Sequence, residues 1–152
     1  KISRLANGSP EIFHTLQGEG PSLGAPALFL RLSLCNLHCH WCDTPYTWNW
    51  EKTPWQHQDG IKFSKADQII ELTPAEIAPL ISRHHCDRLV LTGGEPLLQQ
   101  EELLELLKLL PDLPFIEVET NGTQIPGDDF LALPTQFNVS PKLSNSGMSG
   151  SL

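Results

Sequence analysis

Four apolar segments of this chain each run directly into a short polar or glycine-rich stretch, and this repeated arrangement constrains the fold more than any other feature. The segments are 27–33, 87–92, 114–119 and 136–140. Strands that alternate with helices form βαβ units, which cross over right-handedly into a parallel sheet. Ligands of such sheets gather beyond the carboxyl ends of the strands. We therefore expect the four polar stretches to meet at one place.

Two helices are predicted between these strands. Thr73 caps the first helix, Pro74 occupies its first turn and Glu76 completes a capping box. The leucine-rich segment 99–110 has a broad apolar face and is stopped by Pro111. Shorter elements are expected at 11–16 and 128–133. The pattern predicts an α/β fold.

The composition narrows the class of partner. The hydrophobic content of 39% is typical of a globular protein. The net charge of -8 and the scattered distribution of the ten basic residues disfavour a nucleic-acid partner, since phosphate binding needs clustered Lys and Arg. A small-molecule substrate is the better prediction. The chain has neither an apolar run long enough for a membrane helix nor a signal-peptide core, so we expect a cytoplasmic protein without membrane contact.

Three of the four cysteines are clustered in one short stretch. Cys35, Cys39 and Cys42 lie within eight residues, and in the absence of a secretion signal such thiols more often bind metal than form disulfides. An iron–sulfur cubane is usually held by four cysteine sulfurs. Three leave one iron free to bind a small molecule. If that molecule is S-adenosylmethionine (SAM), an electron passed to its sulfonium releases a 5′-deoxyadenosyl radical.

Two other interpretations of the cysteines are open from the residues alone. The three could lie on one helix face, but the intervening residues form no apolar stripe. They could also bind zinc, with His38 or His40 as the fourth ligand. Zinc fingers usually add a second, distant pair of ligands, which this sequence lacks.

The motifs together resemble a known family. The stretch 35–44 (CNLHCHWCDT) resembles the cluster-binding loop of radical SAM enzymes, with an aromatic residue before the last cysteine. Thr92–Pro96 resembles the family's GGEP motif, whose paired glycines would let a ligand approach the main chain. In sequence order, LQGEG, the strand arginine, TGGEP, ETNG and VSPK are similar to the 7-carboxy-7-deazaguanine synthase family.

The resemblance implies both a fold and a reaction. The fold would be a partial (β/α) radical SAM barrel with a mostly parallel sheet, one domain over 1–152, with an insertion at 45–67. Family members continue beyond the SPK motif, so we expect a C-terminally truncated barrel in which 143–152 is a disordered tail or cut end. The reaction would convert 6-carboxy-5,6,7,8-tetrahydropterin to 7-carboxy-7-deazaguanine with release of ammonia, in queuosine biosynthesis. We expect the chain as given to bind the cluster and part of SAM without full turnover.

The resemblance also assigns site residues. The [4Fe-4S] cluster would be bound by Cys35, Cys39 and Cys42. SAM would contact Trp41, Cys42, Asp43, Gly94, Glu119, Asn121, Ser140, Pro141 and Lys142. The pterin would contact Leu16, Gln17, Gly18, Glu19, Arg31 and Thr92. Arg31 would pair with the substrate carboxylate through its forked guanidinium, and Thr44 would bind Mg²⁺.

Partners and alternatives follow from the same resemblance. The enzyme would receive electrons from a donor such as flavodoxin and would form a homodimer. A glycyl-radical-activating radical SAM enzyme is a second hypothesis, since those chains are also short; it would need a protein-docking surface in place of the pterin site. A non-catalytic zinc-binding module is the third.

Overall fold

The computed structural model describes residues 1–148 and contains one seven-stranded mixed sheet. The strands are β1 (Ile2–Ser3), β2 (Ile12–Leu16), β3 (Pro26–Leu32), β4 (Ile69–Ile70), β5 (Arg88–Gly93), β6 (Phe115–Thr120) and β7 (Thr135–Val139). The helices are α1 (Lys65–Gln68), α2 (Pro74–Ser82), α3 (Gln100–Lys108) and α4 (Asp128–Leu131). Short 3₁₀ turns lie at Gly20–Ser22, Pro45–Thr47, Pro96–Gln99 and Ser144–Ser146.

The sheet has a parallel part and an antiparallel part. The strands β3, β5, β6 and β7 are neighbours in that order, and each pair runs parallel. On its other edge β3 pairs antiparallel with β2 and β1, and β4 pairs antiparallel with β1. The predicted α/β fold is confirmed, and the four segments predicted as strands form the parallel part. Their carboxyl ends consequently lie at one edge of the sheet.

The helices begin where the capping signals predict. The Thr73 side chain accepts a hydrogen bond from the Glu76 backbone, and the Glu76 side chain accepts one from the Thr73 backbone, which completes the capping box of α2. Helix α3, at Gln100–Lys108, lies within the predicted segment 99–110 and is preceded by the 3₁₀ turn Pro96–Gln99. Both helices pack their apolar faces on the sheet and on each other.

Alternation along the strands gives the two sheet faces different characters. One face carries the leucines of β3 and β5 and joins the apolar sides of α2 and α3 in the main core. The other carries a small apolar cluster of Ala27, Phe29 and Val90. Near the carboxyl ends of the same strands, Arg31, Thr92 and other polar side chains line a cavity. The second face therefore carries the candidate site.

Two strands were absent from the sequence prediction. Strands β1 and β4 have two residues each and pair Ile2 with Ile70, although 68 positions separate the two (70 minus 2). A two-residue strand has no periodicity that a sequence could display.

Two regions expected to be irregular contain defined contacts. The 45–67 segment contains a 3₁₀ turn, a parallel bridge between Trp50 and Phe63, and the start of α1. Residues 143–148, expected as a disordered tail or cut end, include a 3₁₀ turn whose Ser146 is fully buried. The rest of that expectation falls on 149–152, outside the described residues. Across residues 1–148, no helix has both the length and the apolarity to cross a membrane.

Candidate functional site

A cavity of about 220 Å³ opens at the carboxyl ends of the parallel strands. Its wall includes residues from all four polar stretches, so the expectation that these stretches meet is confirmed. The lining residues from them include Cys35, Cys39, Trp41, Cys42, Gly93, Gly94, Glu119, Thr120, Asn121, Ser140 and Lys142.

The chain leaves β3 through a sharp bend into the cysteine loop, defined here as residues 35–42. Leu34 has a φ of 79°, a left-handed conformation that is uncommon for a branched side chain and is frequent at functional sites. All three thiols of the loop are free and line the cavity. Burial raises the pKa of the Cys35 thiol to about 12, so without a metal this side chain carries its proton.

The glycine pair of the GGEP turn packs directly against the start of this loop. A side chain at Gly93, whose φ is +122°, would place its Cβ 2.0 Å from the carbonyl oxygen of Leu32. At Gly94 the Cβ would lie 2.0 Å from the carbonyl oxygen of Leu34. The sequence predicted that a ligand approaches these glycines; in the structure the backbone leading into the cysteine loop approaches them, and Gly94 also lines the cavity.

Buried hydrogen bonds join the remaining strand ends to one another. The fully buried Glu95 carboxylate accepts bonds from the Thr120 hydroxyl, at 2.9 and 3.0 Å, and from the Asn121 backbone at 2.8 Å. The Asn121 amide in turn donates to the Asn36 side chain in the cysteine loop at 3.1 Å. Glu95 was not among the predicted site residues, although its place in the GGEP motif was a usable signal.

The cavity wall also carries charged side chains. Arg31 lines the cavity, and its Nε donates to the Glu11 carboxylate at 2.8 Å. The Thr92 hydroxyl donates to Glu119 at 2.6 Å. Burial raises the pKa of the Glu119 carboxyl above its ordinary value. One guanidinium and one carboxyl group with a raised pKa therefore line the same cavity.

Trp41 and Lys142, both predicted to contact SAM, contact each other. The Lys142 ammonium lies 5.7 Å from the centre of the Trp41 ring, and the Trp41 indole donates to the Asn145 carbonyl at 2.9 Å. Ser140 accepts a bond from the Lys142 ammonium at 2.9 Å. The SPK stretch and the residues after it thus pack on the cysteine loop.

The remaining predicted residues divide into two groups. Glu19, Asp43 and Thr44 line the cavity. Leu16, Gln17, Gly18 and Pro141 do not form part of its described wall. The buried Gln17 side chain instead donates to Glu117 at 2.9 Å, a contact across 100 residues that no local pattern announces.

His57 is a further residue that contacts the cysteine loop and that sequence reasoning left without a role. Its Nε2 lies 2.8 Å from the carbonyl oxygen of Cys42, and the residue is buried. The contact joins residues 15 positions apart in a segment without periodicity, so the sequence contained no signal for it.

Comparison with known protein families identifies the superfamily to which this chain belongs. The family model described as "Radical SAM superfamily" matches residues 31–136. The chain belongs to the radical SAM superfamily. Members of this superfamily use a [4Fe-4S] cluster and SAM, which agrees with the predicted cofactors.

Individual proteins similar to this chain share the name 7-carboxy-7-deazaguanine synthase. The 7-carboxy-7-deazaguanine synthase of Pyrobaculum aerophilum is 38% identical over 139 residues, which are 91% of this chain and 56% of the relative. That of Halobacterium salinarum is 41% identical over 136 residues, covering 90% and 46%. The crystal structure of QueE from Escherichia coli superposes with a TM-score of 0.62 at 31% identity, covering 88% of this chain and 59% of that one. The chain thus spans about half of the length of these relatives, and the predicted partial radical SAM fold is confirmed.

The residues present fit the cluster of a radical SAM enzyme. Three free thiols surround one cavity, and neighbouring backbone and side-chain contacts hold their loop in place. In residues 1–148, no three His, Cys, Asp or Glu side chains converge on a point that one metal ion could occupy. A mononuclear Cys3His zinc site needs that convergence, whereas a cubane offers a different iron to each thiolate. His38, a suggested zinc ligand, instead stacks on Trp55 with ring centres 3.8 Å apart.

Proposed function

We propose that the protein is a radical SAM carbon–nitrogen lyase that converts 6-carboxy-5,6,7,8-tetrahydropterin to 7-carboxy-7-deazaguanine and releases ammonia. One observation carries this proposal: the three thiols and the Arg31 guanidinium line the same cavity. The relatives named 7-carboxy-7-deazaguanine synthase support the identity of the reaction. When bound, the cluster and SAM supply a 5′-deoxyadenosyl radical.

Arg31 is the group that would bind the substrate carboxylate. Glu11 accepts from its Nε, and Tyr46 donates to the same carboxylate, so this side of the guanidinium is held by the protein. Within residues 1–148 the two Nη groups have no hydrogen-bond acceptor, and a carboxylate can bind both at once. Thr92 lines the same cavity and would contact the pterin ring.

The cavity residues nearest the cysteine loop would hold SAM. Trp41 offers a flat apolar surface for the adenine, and Lys142 and Asn121 offer donors for carboxylate or ribose oxygens. Gly94 leaves main-chain groups accessible at the cavity wall. These groups would bind and orient SAM. Asp43, Ser140 and the other residues predicted for SAM belong to the same proposal.

We also propose Thr44 as the protein ligand of a Mg²⁺ ion. Its buried hydroxyl lines the cavity and lies 3.5 Å from the Asp43 carboxylate. Mg²⁺ keeps several waters and binds few protein oxygens, with the substrate supplying others. Leu16, Gln17, Gly18 and Glu19 stay proposed pterin contacts. A flavodoxin as electron donor and a homodimer complete the proposal on resemblance alone.

Anaerobic reconstitution of the chain with iron and sulfide tests the cluster. We expect a brown protein with the visible absorption of an iron–sulfur cluster, and a changed electron paramagnetic resonance spectrum when SAM is added. The proposal is contradicted if the protein takes up no iron and sulfide, or if its spectrum does not change when SAM is added. Incubation with the carboxy-tetrahydropterin, SAM and dithionite then measures turnover, and abundant product would show that our expectation of incomplete turnover is wrong.

The role of Arg31 is tested by substitution. We expect Arg31→Ala to weaken binding of fluorescent 6-carboxypterin about thirtyfold, because hydrogen bonds to a charged group contribute about 2 kcal/mol, while SAM binding changes less than about twofold. The matched control is Arg83→Ala, since Arg83 is exposed beyond the end of α2. If Arg31→Ala weakens binding of neither ligand, or of both equally, Arg31 does not bind the pterin carboxylate. An activase acting on a protein partner then becomes the better hypothesis.

A further inference from the structure

The cysteine loop is held from outside the cavity by the 45–67 segment. His57 and Gln58 are consecutive, and each contacts one carbonyl oxygen of the loop. The His57 Nε2 lies 2.8 Å from the Cys42 oxygen, and the Gln58 backbone donates to the His40 oxygen at 2.9 Å. The segment therefore fixes two peptide groups of the loop, the one after His40 and the one after Cys42.

We propose that His57 is a positioning residue for the iron–sulfur cluster, which acts by donating a hydrogen bond to the Cys42 carbonyl and thereby fixing where the Cys42 thiol points. The proposal rests on the cluster of the radical SAM superfamily, and it is independent of the deazaguanine reaction.

The geometry assigns the donor without ambiguity. A carbonyl oxygen can only accept, so the proton of this bond is on Nε2 of His57. On the other side of the ring the Asp59 backbone donates to Nδ1 at 3.4 Å, which matches a proton on Nε2, and a carboxylate oxygen of the same residue lies 2.8 Å from Nδ1. Hydrogen bonds to groups beside a metal ligand orient metal-binding side chains in the same way.

Neighbouring aromatic side chains hold the His57 imidazole in place and shield it from water. His57 is 8% exposed, and its ring packs edge-on against the buried Trp48, with centres 6.5 Å apart. Trp48 also packs edge-on against His38 of the loop, whose opposite contact is the stacked ring of Trp55. The hydrogen bond is thus shielded from competition by water, which strengthens it.

A second segment holds the same loop from the other side. The His40 backbone N–H donates to the carbonyl of the buried Ser146 at 2.9 Å, so the backbone N–H and C=O of His40 are both bound by residues outside the loop. His57 extends this hold to Cys42, whose own backbone donor turns back to Cys39 at 3.2 Å. A loop ordered in this way loses little conformational entropy when the cluster binds.

The first test uses the apoprotein and therefore does not depend on a loaded cluster. We expect His57→Phe, which keeps a planar ring and removes the donor, to raise the rate of Cys39 alkylation by iodoacetamide about fivefold, the factor that one hydrogen bond of ordinary strength carries. Cys39 is suited to this because it is only 6% exposed. His57→Gln, whose amide can donate to the same carbonyl, should restore a rate close to that of the wild type.

The second test uses the reconstituted protein. The rate at which iron passes to a chelator should rise about fivefold in His57→Phe and return towards the wild-type value in His57→Gln. The matched control is His14→Phe, because His14 is exposed on β2 and lies outside the cysteine-loop cavity. We expect this variant to match the wild type in both measurements.

Alkylation of Cys86 separates a local effect from general loosening. Cys86 precedes β5, at the end of the sheet opposite the cysteine loop. Faster alkylation of Cys39 alone supports the proposal. Equal acceleration at Cys86, no difference between His57→Phe and His14→Phe, or failure of His57→Gln to restore the rate would each overturn it. If the wild-type chain takes up no iron, the proposed function fails, while the alkylation result still decides whether His57 holds the loop.

Discussion

Tyr46 is the only tyrosine of the chain, and it shares the Glu11 carboxylate with Arg31 of the cavity wall. Its hydroxyl donates to the Glu11 carboxylate, 3.2 Å from each oxygen, while Arg31 contacts the same carboxylate. Burial raises the pKa of Tyr46 to about 12, Arg31 opposes this rise and Glu11 adds to it. The phenol thus keeps its proton and its bond to Glu11 throughout the neutral and mildly alkaline range.

Because no other tyrosine contributes, the ionisation of Tyr46 can be followed directly by tyrosinate absorption. After a rapid pH jump the native apoprotein should titrate at about 12, and the denatured chain near 10. Since folding raises this pKa, the stabilisation is complete below pH 10 and is lost as the pH rises to about 12. Tyr46→Phe should therefore lose stability less steeply over that interval. A native titration near pH 10 would show that the phenol is not buried against Glu11.

The ends of β5 and β6 are joined by one buried carboxylate. Glu95 follows β5, and its two oxygens accept bonds from the Leu97 backbone, the Thr120 hydroxyl and the Asn121 backbone. Every one of these partners is a donor. A carboxylate, which only accepts, satisfies all of them and fixes the GGEP turn against the strand end that follows it.

How much of this could be predicted from the sequence depends on the distance between partners. The capping box of α2 and the strand alternation are local signals, so these elements were predictable. The convergence of the polar stretches followed from the parallel sheet. The partners of Gln17 and His57 lie 100 and 15 residues away and have no local signature, so their positions required the structure. For the same reason, the sequence indicated that Glu95 belongs to a turn and did not indicate that its side chain links two strand ends.

Substitution of Glu95 by Gln tests whether its carboxylate stabilises the fold by linking the ends of β5 and β6. The amide nitrogen of Gln would replace one acceptor by a donor and would face a backbone N–H or the Thr120 hydroxyl. We expect a loss of about 2 kcal/mol in the free energy of unfolding, the typical effect of leaving buried donors without acceptors. The measurement is denaturant unfolding of the apoprotein, with Glu101→Gln as the control because Glu101 is exposed on α3. Equal stability of both variants would contradict the assignment.

On the scale of the whole molecule, a buried polar network connects distant parts of the chain beneath the cavity. The fully buried Glu117 of β6 accepts bonds from Arg88 of β5, from Gln17 after β2, and from Gln136 and Asn138 of β7. Burial alone would raise its pKa, but the bonds from its neighbours outweigh burial and hold the pKa of Glu117 below its ordinary value. One charged group thus joins three parallel strands and the LQGEG turn.

Removal of this charge should destabilise the whole fold, and replacement of the pair should partly restore it. We expect Glu117→Leu to cost about 3 kcal/mol in unfolding free energy, because it leaves the half-buried Arg88 without its partner, and Arg88→Met with Glu117→Leu to cost less. The pH dependence has a defined sign: the folded pKa is depressed, so the stabilisation is present above the ordinary value of 4.5 and is lost as the pH falls through the folded pKa. Wild-type protein should therefore lose stability below pH 4.5 more steeply than Glu117→Leu, whereas Glu105→Gln, at an exposed position of α3, should follow the wild type. A double variant as unstable as the single one would show that Glu117 stabilises the fold through its amide donors rather than through its pairing with Arg88.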